Sequence, residues 1–445
     1  ISRYDAAPRY CKKVIRMITQ AEIFIEKLVH GGSGLGRLDT GHAVFVPGVL
    51  PGERVVITIR RRKKGFYEAD LSEILLPSKD RISPPCSGEQ QCTGATWPFI
   101  AYPAQLTIKQ DILLDSISRI GGMAPKRMLP ILPSPCIDHY RLRTQFNVRT
   151  KDGRQRIGFF RQRSYELIEV KDAFLLHPII NQTLDSIRTL ASKLPVLQEI
   201  HINASPSGEV HILLHGEQAS YPFLESFFSD LTKAAPQVIG ITGFAHKKKV
   251  FTIGKNNLAL EVEGLILHAT EGNFFQVNWE QNKNMVHTVL EFAALTGHET
   301  VLDLYCGIGN FSLPLAKNAK NVIGIELGYS AIEDAKKNAA LNSLQNTEFI
   351  ASDMQSGLKL LLQRKMRADV IVLDPPRAGA TIKTLERVLA FVPQKIIYVS
   401  CNPATVARDL EHFHRFGFVL NRLRPIDMFP YTHHIECIAE MVRGR

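Results

Sequence analysis

The sequence predicts a multidomain protein of mixed α+β and α/β class. A small N-terminal OB-like β-barrel would precede a mixed central domain and a C-terminal Rossmann-like, doubly wound parallel sheet. Three observations predict this. Short strand-like runs fill residues 21–80 between glycine- and proline-containing turns. From about Leu265 onward, strand and helix patterns alternate in the manner of βαβ units. The 445 residues suit about two to four domains. The boundaries read are a basic leader at 1–20, the barrel at 21–80, the central domain at 81–264 and the α/β domain at 265–445.

Composition narrows the function. Hydrophobic residues make up 45% and charged residues 22%, as in ordinary globular chains. Apolar runs such as Val370–Leu373 are too short to span a membrane, and the N-terminus lacks the apolar core of a signal peptide. The net charge of +11 suits a polyanionic partner, nucleic acid above all, although a basic protein can simply be basic. Seven cysteines at irregular spacing argue against a secreted disulfide framework and for a reducing, cytoplasmic setting.

Within the barrel, strands are expected at Ala21–Leu28, Gly41–Pro47, Arg54–Arg60 and Tyr67–Leu76, with a fifth not placed. The run Arg60–Lys64, followed by Phe66 and Tyr67, sets cations beside stacking rings, an RNA footprint or else a solvated hairpin tip. Cys86 and Cys92 fall in an irregular, proline-rich segment, after which apolar spacing predicts a helix at Ala104–Ile120. Residues 140–260 read as antiparallel strands with one helix, Ile179–Leu194, and with hairpins at Lys151-Asp-Gly and Ser205-Pro-Ser-Gly. Arg141–Arg163 holds seven arginines and three phenylalanines that would extend a basic face.

In the C-terminal part, strands are expected at Glu299–Tyr305, Asn321–Glu326, Thr347–Ala351 and Asp369–Leu373. Helices are expected near Asn310–Lys317, Ser330–Leu341, Gly357–Leu362 and Ile382–Phe391. Asp303-x-x-x-Gly307-x-Gly309 lacks the third glycine of a dinucleotide fingerprint, Ser312 standing in its place. Glu326 at the next strand end suits the two hydroxyls of a ribose, and Asp353 after the third suits an adenine amino group. Acidic loops without a phosphate cradle favour S-adenosylmethionine over NAD; the plainer reading of Glu326 is a solvated strand-end charge. Asp374-Pro-Pro-Arg377 ends another apolar strand, where a carboxylate can face cofactor and base, or the prolines can mark a plain turn.

Ser400-Cys401-Asn402-Pro403 carries the sharpest signal. It ends the strand Lys395–Ser400 and opens the helical stretch from Ala404, with Asn402 suited to cap that helix and Pro403 to its first turn. A cysteine there lies where N–H dipoles favour a thiolate. C5 of uracil is a poor nucleophile; thiolate addition at C6 makes it enolate-like, and a base must later remove the C5 proton. Cys401 suits the first task. Glu436, in His434-Ile-Glu436 at the head of a strand read as Ile435–Val442, suits the second. Cys306 and Cys437 read as packing.

These motifs, with Phe275-Gln276-Val-Asn278, make the chain resemble the RNA uracil-C5 methyltransferase family. Residues 21–80 are similar to the TRAM barrel that precedes the ribosomal-RNA members and is absent from the bacterial transfer-RNA member. The resemblance implies that Gln276, Tyr305, Glu326 and Asp374 bind S-adenosylmethionine, alongside Asp303, Gly307, Gly309 and Asp353 from the pattern above. It implies Cys401 as nucleophile and Glu436 as proton acceptor. Many members also hold a [4Fe–4S] cluster on a C-x5-C-x2-C motif and a later cysteine. Here Cys86 and Cys92 keep the first spacing, but Ala95 and a position near Ala173 replace the other ligands. Two thiolates cannot saturate a four-iron cluster. The cluster is therefore expected to be lost, its site packed with apolar groups, and the two cysteines left as relics, an unusual disulfide or a partial metal site.

The resulting expectation is a monomeric, cytoplasmic enzyme that makes 5-methyluridine in structured RNA, 23S rRNA first and tRNA second. The competing readings are a cytosine-C5 methylase, which shares the attack at C6, and a catalytically silent RNA-binding scaffold.

Overall fold

The computed structural model describes residues 20–161, 164–217, 221 and 223–444. The leader expected at 1–20 lies outside them except for Gln20, which opens the first strand, and Arg163 of the arginine-rich segment also lies outside. The chain forms two compact units, one ending at Arg81 and the other starting at Ile82. No helix among the described residues is long and apolar enough to cross a membrane.

In the first unit, strands Gln20–Leu28, Gly34–Arg37, Ala43–Val46, Phe66–Leu76 and Arg54–Lys63 close into a barrel in that order. Alternate residues such as Ile23, Ile25, Val44, Val46, Val55 and Ile57 point inward and form its core. The missing fifth strand, Gly34–Arg37, hides in what reads as glycine punctuation. A Cβ on Gly34 would stand 2.3 Å from Val49 Cγ2, and one on Gly36 2.6 Å from the Phe24 carbonyl. Glycine is therefore demanded by crowding inside the barrel and not by a turn. The basic run forms the tip of the hairpin joining the last two strands, with Arg62 5.8 Å from the Tyr67 ring centroid.

The second unit contains two large sheets. The central one has seven strands, in the order Lys248–Gly254, Val238–Ala245, Val210–Gly216, Leu197–Ala204, Arg143–Lys151, Arg154–Phe160 and Leu167–Glu169. Both expected hairpins form, with Asp152, Gly153 and Gly208 at positive φ in the turns. The expectation of one helix and antiparallel strands needs correction. The first helix is Pro178–Thr189, and a second, Leu224–Ala234, buries Leu224, Phe227 and Leu231. That helix is a crossover, so the strands it joins, Val210–Gly216 and Val238–Ala245, run parallel.

The other sheet has eight strands, in the order Thr347–Ala351, Asn321–Glu326, Thr300–Leu304, Val370–Leu373, Lys395–Ser400, Glu436–Arg443, Phe418–Ile426 and Arg127–Met128. The first five are parallel, and Glu436–Arg443 pairs antiparallel with both of its neighbours. Connections run outward in opposite directions from Thr300–Leu304 and Val370–Leu373. Such a switch point leaves a crevice at the carboxyl ends of the strands. Glu440 marks the register of the antiparallel strand. It is 2% exposed and receives Arg422 Nε at 2.6 Å, Arg422 Nη2 at 2.9 Å and Asn421 Nδ2 at 2.7 Å.

Helix Tyr102–Arg119, close to the span expected, braces the segment before Glu436. The fully buried Lys109 donates from Nζ to Asp427 Oδ1 (2.6 Å) and to the Phe429 carbonyl (2.9 Å). Gln105 Oε1 accepts from the Tyr431 N–H at 2.8 Å. Asn278 Nδ2 donates to Ser134 Oγ (2.9 Å) and to the Met428 carbonyl (3.2 Å), while Oδ1 caps helix Trp279–Ala293. Burial pushes the Lys109 ammonium pKa down, and the Asp427 carboxylate opposes the shift. Removing one partner strands the other charge in the interior. Lys109→Met is therefore expected to cost about 3–5 kcal/mol of unfolding free energy. The double variant Lys109→Met/Asp427→Leu should lose far less than the sum of the single losses, as urea denaturation of all four proteins will show.

Candidate active site

Strand register sets the site residues along one edge. Leu304 pairs with Ile325 and Leu373, so Tyr305, Glu326 and Asp374 emerge side by side. Glu326 pairs with Ala351, two residues before Asp353. Ser400 pairs with Cys437, so Cys401 and Glu436 face each other just beyond that pair. Across the carboxyl edge the order is thus Asp353, Glu326, Tyr305, Asp374, Cys401 and Glu436.

The glycine turn lies at the switch point. Tyr305 (φ 66°), Gly307 (54°) and Gly309 (96°) are all left-handed. For a tyrosine this costs about 1–2 kcal/mol, offset by the N–H groups of Tyr305 and Cys306 bonding the Ile325 carbonyl at 2.9 and 3.1 Å. No atom lies within 4 Å of where a Gly307 Cβ would stand. Glu326 accepts from the N–H of Gly307 on Oε2 (3.3 Å) and from that of Gly328 on Oε1 (2.9 Å). Asp303 is fully buried; Ser312 Oγ donates to Oδ2 at 2.5 Å, and Oδ1 has no partner among the described residues. Burial, with Glu326 nearby, pushes its carboxyl pKa up to about 7. Asp374 is also pushed up to about 7, by burial and then by Asp303. Gln276 is half-buried between Phe275 and Asn278, both fixed by side-chain or backbone bonds. Asp353 is exposed, and its Oδ1 caps helix Met354–Gln363 through the N–H groups of Gln355 and Ser356, both at 3.0 Å.

An open cradle above Gly307, a carboxylate at each flanking strand tip and an orphaned buried carboxylate oxygen fit a nucleoside-bearing cofactor such as S-adenosylmethionine. The backbone can approach the ligand closely only where no Cβ intervenes.

Cys401 is half-buried at the head of helix Pro403–Arg415, which Asn402 caps through Oδ1 to the N–H groups of Ala404 (3.0 Å) and Thr405 (3.5 Å). The dipole does not win here. Burial pushes the thiol up to about 12, Glu436 and Asp374 add to that, and Arg377 opposes. Glu436 is 7% exposed and held well above the usual carboxylate range by burial, then by Asp374, with Arg377 again opposing. Arg377 is anchored: Nη2 donates to His434 Nδ1 at 3.1 Å, and its carbonyl accepts from Asn402 Nδ2 at 3.0 Å. Burial pushes His434 down to about 3, so its ring is neutral and free to accept. Cys306 and Cys437 are buried, as packing requires, and their thiols are pushed up.

The sequence showed Ser312 only as a missing glycine, yet Ser312 is what holds Asp303. The bond between Arg377 and His434 joins motifs 57 residues apart, and no local pattern announces it.

Cys86 and Cys92 are joined in a disulfide, one of the three states expected for them. The N–H groups of Thr96 and Trp97, just beyond, both bond the Tyr431 carbonyl at 2.9 Å, and Thr96 Oγ1 accepts from the His433 N–H at 3.1 Å. Ala95 packs against the cluster of Tyr140, Leu175 and Tyr431, and Ala173 is fully buried. Among the described residues no three His, Cys, Asp or Glu side chains converge as metal ligands. The donor set does not fit a [4Fe–4S] cluster, which needs four thiolates.

Comparison with known proteins agrees with this geometry. Residues 101–443 match the model of the tRNA (uracil-5-)-methyltransferase family, and residues 19–72 match the TRAM domain. An uncharacterised RNA methyltransferase of Halalkalibacterium halodurans is 34% identical over 439 residues, covering 94% of this chain and 96% of the relative. One from Caldanaerobacter subterraneus is 32% identical, covering 95% and 98%. The solved tRNA (uracil-54, C5)-methyltransferase of Pyrococcus abyssi, in complex with S-adenosyl-L-homocysteine, superposes with a TM-score of 0.74 at 25% identity, over 95% of this chain and all of that one. With its TRAM barrel and its S-adenosylmethionine-dependent domain, the chain belongs to the RNA (uracil-5-)-methyltransferase family.

Proposed function

We propose that this enzyme methylates C5 of a uridine in structured RNA, with Cys401 as nucleophile and Glu436 as proton acceptor. The observation that carries the reading is their register: the two side chains lie across one antiparallel pair, at the rim of the crevice that holds the glycine turn. S-adenosylmethionine, when bound, supplies an electrophilic methyl group. We assign its binding to Gln276, Tyr305, Gly307, Gly309, Glu326, Asp353 and Asp374, with Asp303 supporting the turn from beneath. Cys401, having lost its proton to solvent, forms a bond from sulfur to C6; the electron pair of the C5–C6 double bond shifts towards the C4 carbonyl, which makes C5 nucleophilic. After C5 is methylated, Glu436 takes the C5 proton, the electron pair re-forms the C5–C6 double bond, and the Cys401 thiolate leaves. The base must leave its stack to reach Cys401, at a cost of a few kcal/mol, which favours loops. The enzyme would act as a cytoplasmic monomer.

For the substrate we propose 23S rRNA, on the resemblance of the barrel to that of the ribosomal-RNA members. Transfer RNA is the second reading. The Pyrococcus abyssi relative is a tRNA enzyme, and its likeness runs over 95% of this chain. Incubation with methyl-labelled S-adenosylmethionine and, separately, unmodified 23S rRNA, 16S rRNA and tRNA, followed by nucleoside mass spectrometry, decides between them. Labelled 5-methyluridine from 23S rRNA alone supports the first reading, and from tRNA alone the second. Labelled 5-methylcytidine would overturn the uridine assignment. No label in any RNA would favour the silent scaffold.

Cys401→Ala should abolish transfer. Glu436→Gln should leave a protein–RNA adduct that survives a denaturing gel, because the cysteine cannot leave until the C5 proton does; absence of the adduct would demote Glu436. Both groups titrate above their ordinary values and both act deprotonated, so acid silences them and base activates them. Single-turnover rates should therefore climb by up to about tenfold per pH unit between about pH 6 and 9. A flat profile would show that the thiol is not held high once cofactor and RNA are bound. Protein purified without oxygen should contain no iron by elemental analysis; four iron atoms per chain would refute the lost cluster.

A further inference from the structure

The central sheet packs one face on helices Pro178–Thr189 and Leu224–Ala234, through residues such as Ile200, Ile202, Ile212 and Ile241. Alternate positions of the same strands point the other way. There His201, His215 and Phe244, on three neighbouring strands, form a column of rings, none of them fully buried. His201 and His215 centroids are 4.3 Å apart at 35°, and His215 and Phe244 are 4.9 Å apart at 8°. The strand spacing thus holds the rings face to face, as bases stack in a nucleic acid.

Charge surrounds the column, and on the edge strand Lys249 stands opposite Phe244 in register. Burial pushes His215 down to about 4 and also lowers His201, although Glu199, 3.0 Å from His201 Nε2, works against this. The rings are therefore neutral near pH 7. Beyond Phe244 the chain turns through His246 and Lys247, both at positive φ, and Lys247, Lys248 and Lys249 all project exposed from this tip. Lys249 pairs with Glu271 at 2.9 Å. On the far side of the column, Arg143 donates to the Phe275 carbonyl at 3.0 Å, beside Gln276. The ring column thus runs from the cofactor loop to a basic hairpin tip. Neutral stacking surface next to cations is the complement of single-stranded RNA.

We propose that an unpaired base of the RNA substrate, outside the catalytic pocket, extends this column at Phe244, with its phosphates on Lys247 and Lys248. The proposal rests on the enzyme acting on RNA, whether 23S rRNA or tRNA. Filter binding of the full chain to transcripts of 23S rRNA and of tRNA, with S-adenosylhomocysteine present, tests it without depending on methyl transfer. Phe244→Leu, which keeps the volume and loses the ring, should weaken binding of the better transcript about tenfold or more. Phe244→Tyr should bind like wild type. Lys247→Ala/Lys248→Ala should lower the slope of log affinity against log salt by about one to two units. Unchanged binding by Phe244→Leu would overturn the proposal and point to a different occupant, such as an acidic protein. Equal loss in Phe244→Tyr and Phe244→Leu would also overturn it, as a packing effect. A wild-type protein that binds RNA but transfers no methyl would refute the proposed function and leave this inference standing; one that binds neither transcript would refute both.

Discussion

Lys109 and Asp427 are sealed from water together, and neither charge can remain there alone. The pair fixes one end of the segment that runs to Glu436, and three further ties secure the rest. Gln105 and the Thr96 turn hold Tyr431 and His433, and Asn278 reaches Met428. Glu436, proposed as the base, opens a strand, and without these ties the irregular segment before it would let it wander by more than proton transfer tolerates. Here that segment is bonded to a long helix on one side and to Asn278 on the other. Shifting the segment would disturb all of these bonds together.

Several carboxyl groups crowd the crevice, and burial raises the pKa of most of them. Asp303, Asp374 and Glu436 are each pushed up, and Glu436 and Asp374 help burial hold the Cys401 thiol protonated. Arg377 is the one cation opposing both Cys401 and Glu436. The resting site is thus electrostatically unfavourable for a thiolate. A cationic ligand in the crevice would act in the same direction as Arg377 and oppose that shift.

Much of this was legible in the sequence because strand tips are local events. The stretch from Lys395 to Pro403 announces its strand, its cap and its cysteine within nine residues, and the structure has all three. The alternation after Leu265 predicted the parallel sheet. What stayed hidden depends on partners distant in sequence. Gly34–Arg37 reads as a turn because only the closed barrel explains its lack of side chains. Helix Leu224–Ala234 was missed although Leu224, Phe227 and Leu231 recur at helical spacing, because its neighbours look like strands; its crossover alone makes two strands parallel. Lys109 looks like any surface lysine until Asp427, 318 residues away, is placed against it.

The antiparallel strand Glu436–Arg443 makes alignment of the two proposed reactive groups an all-or-none matter. A strand can change register only by whole residues, about 3.3 Å at a time, and each step turns every side chain to the opposite face. Glu440 meets Lys395 of the Cys401 strand, with Nζ 3.6 Å from Oε1, in the register that sets Glu436 across from Cys401. A slip would part Glu440 from Lys395 and Arg422 and set polar side chains where apolar ones are packed. The distance between nucleophile and base is thus stepped, like teeth on a gear. An ion pair four residues from the chemistry selects the tooth.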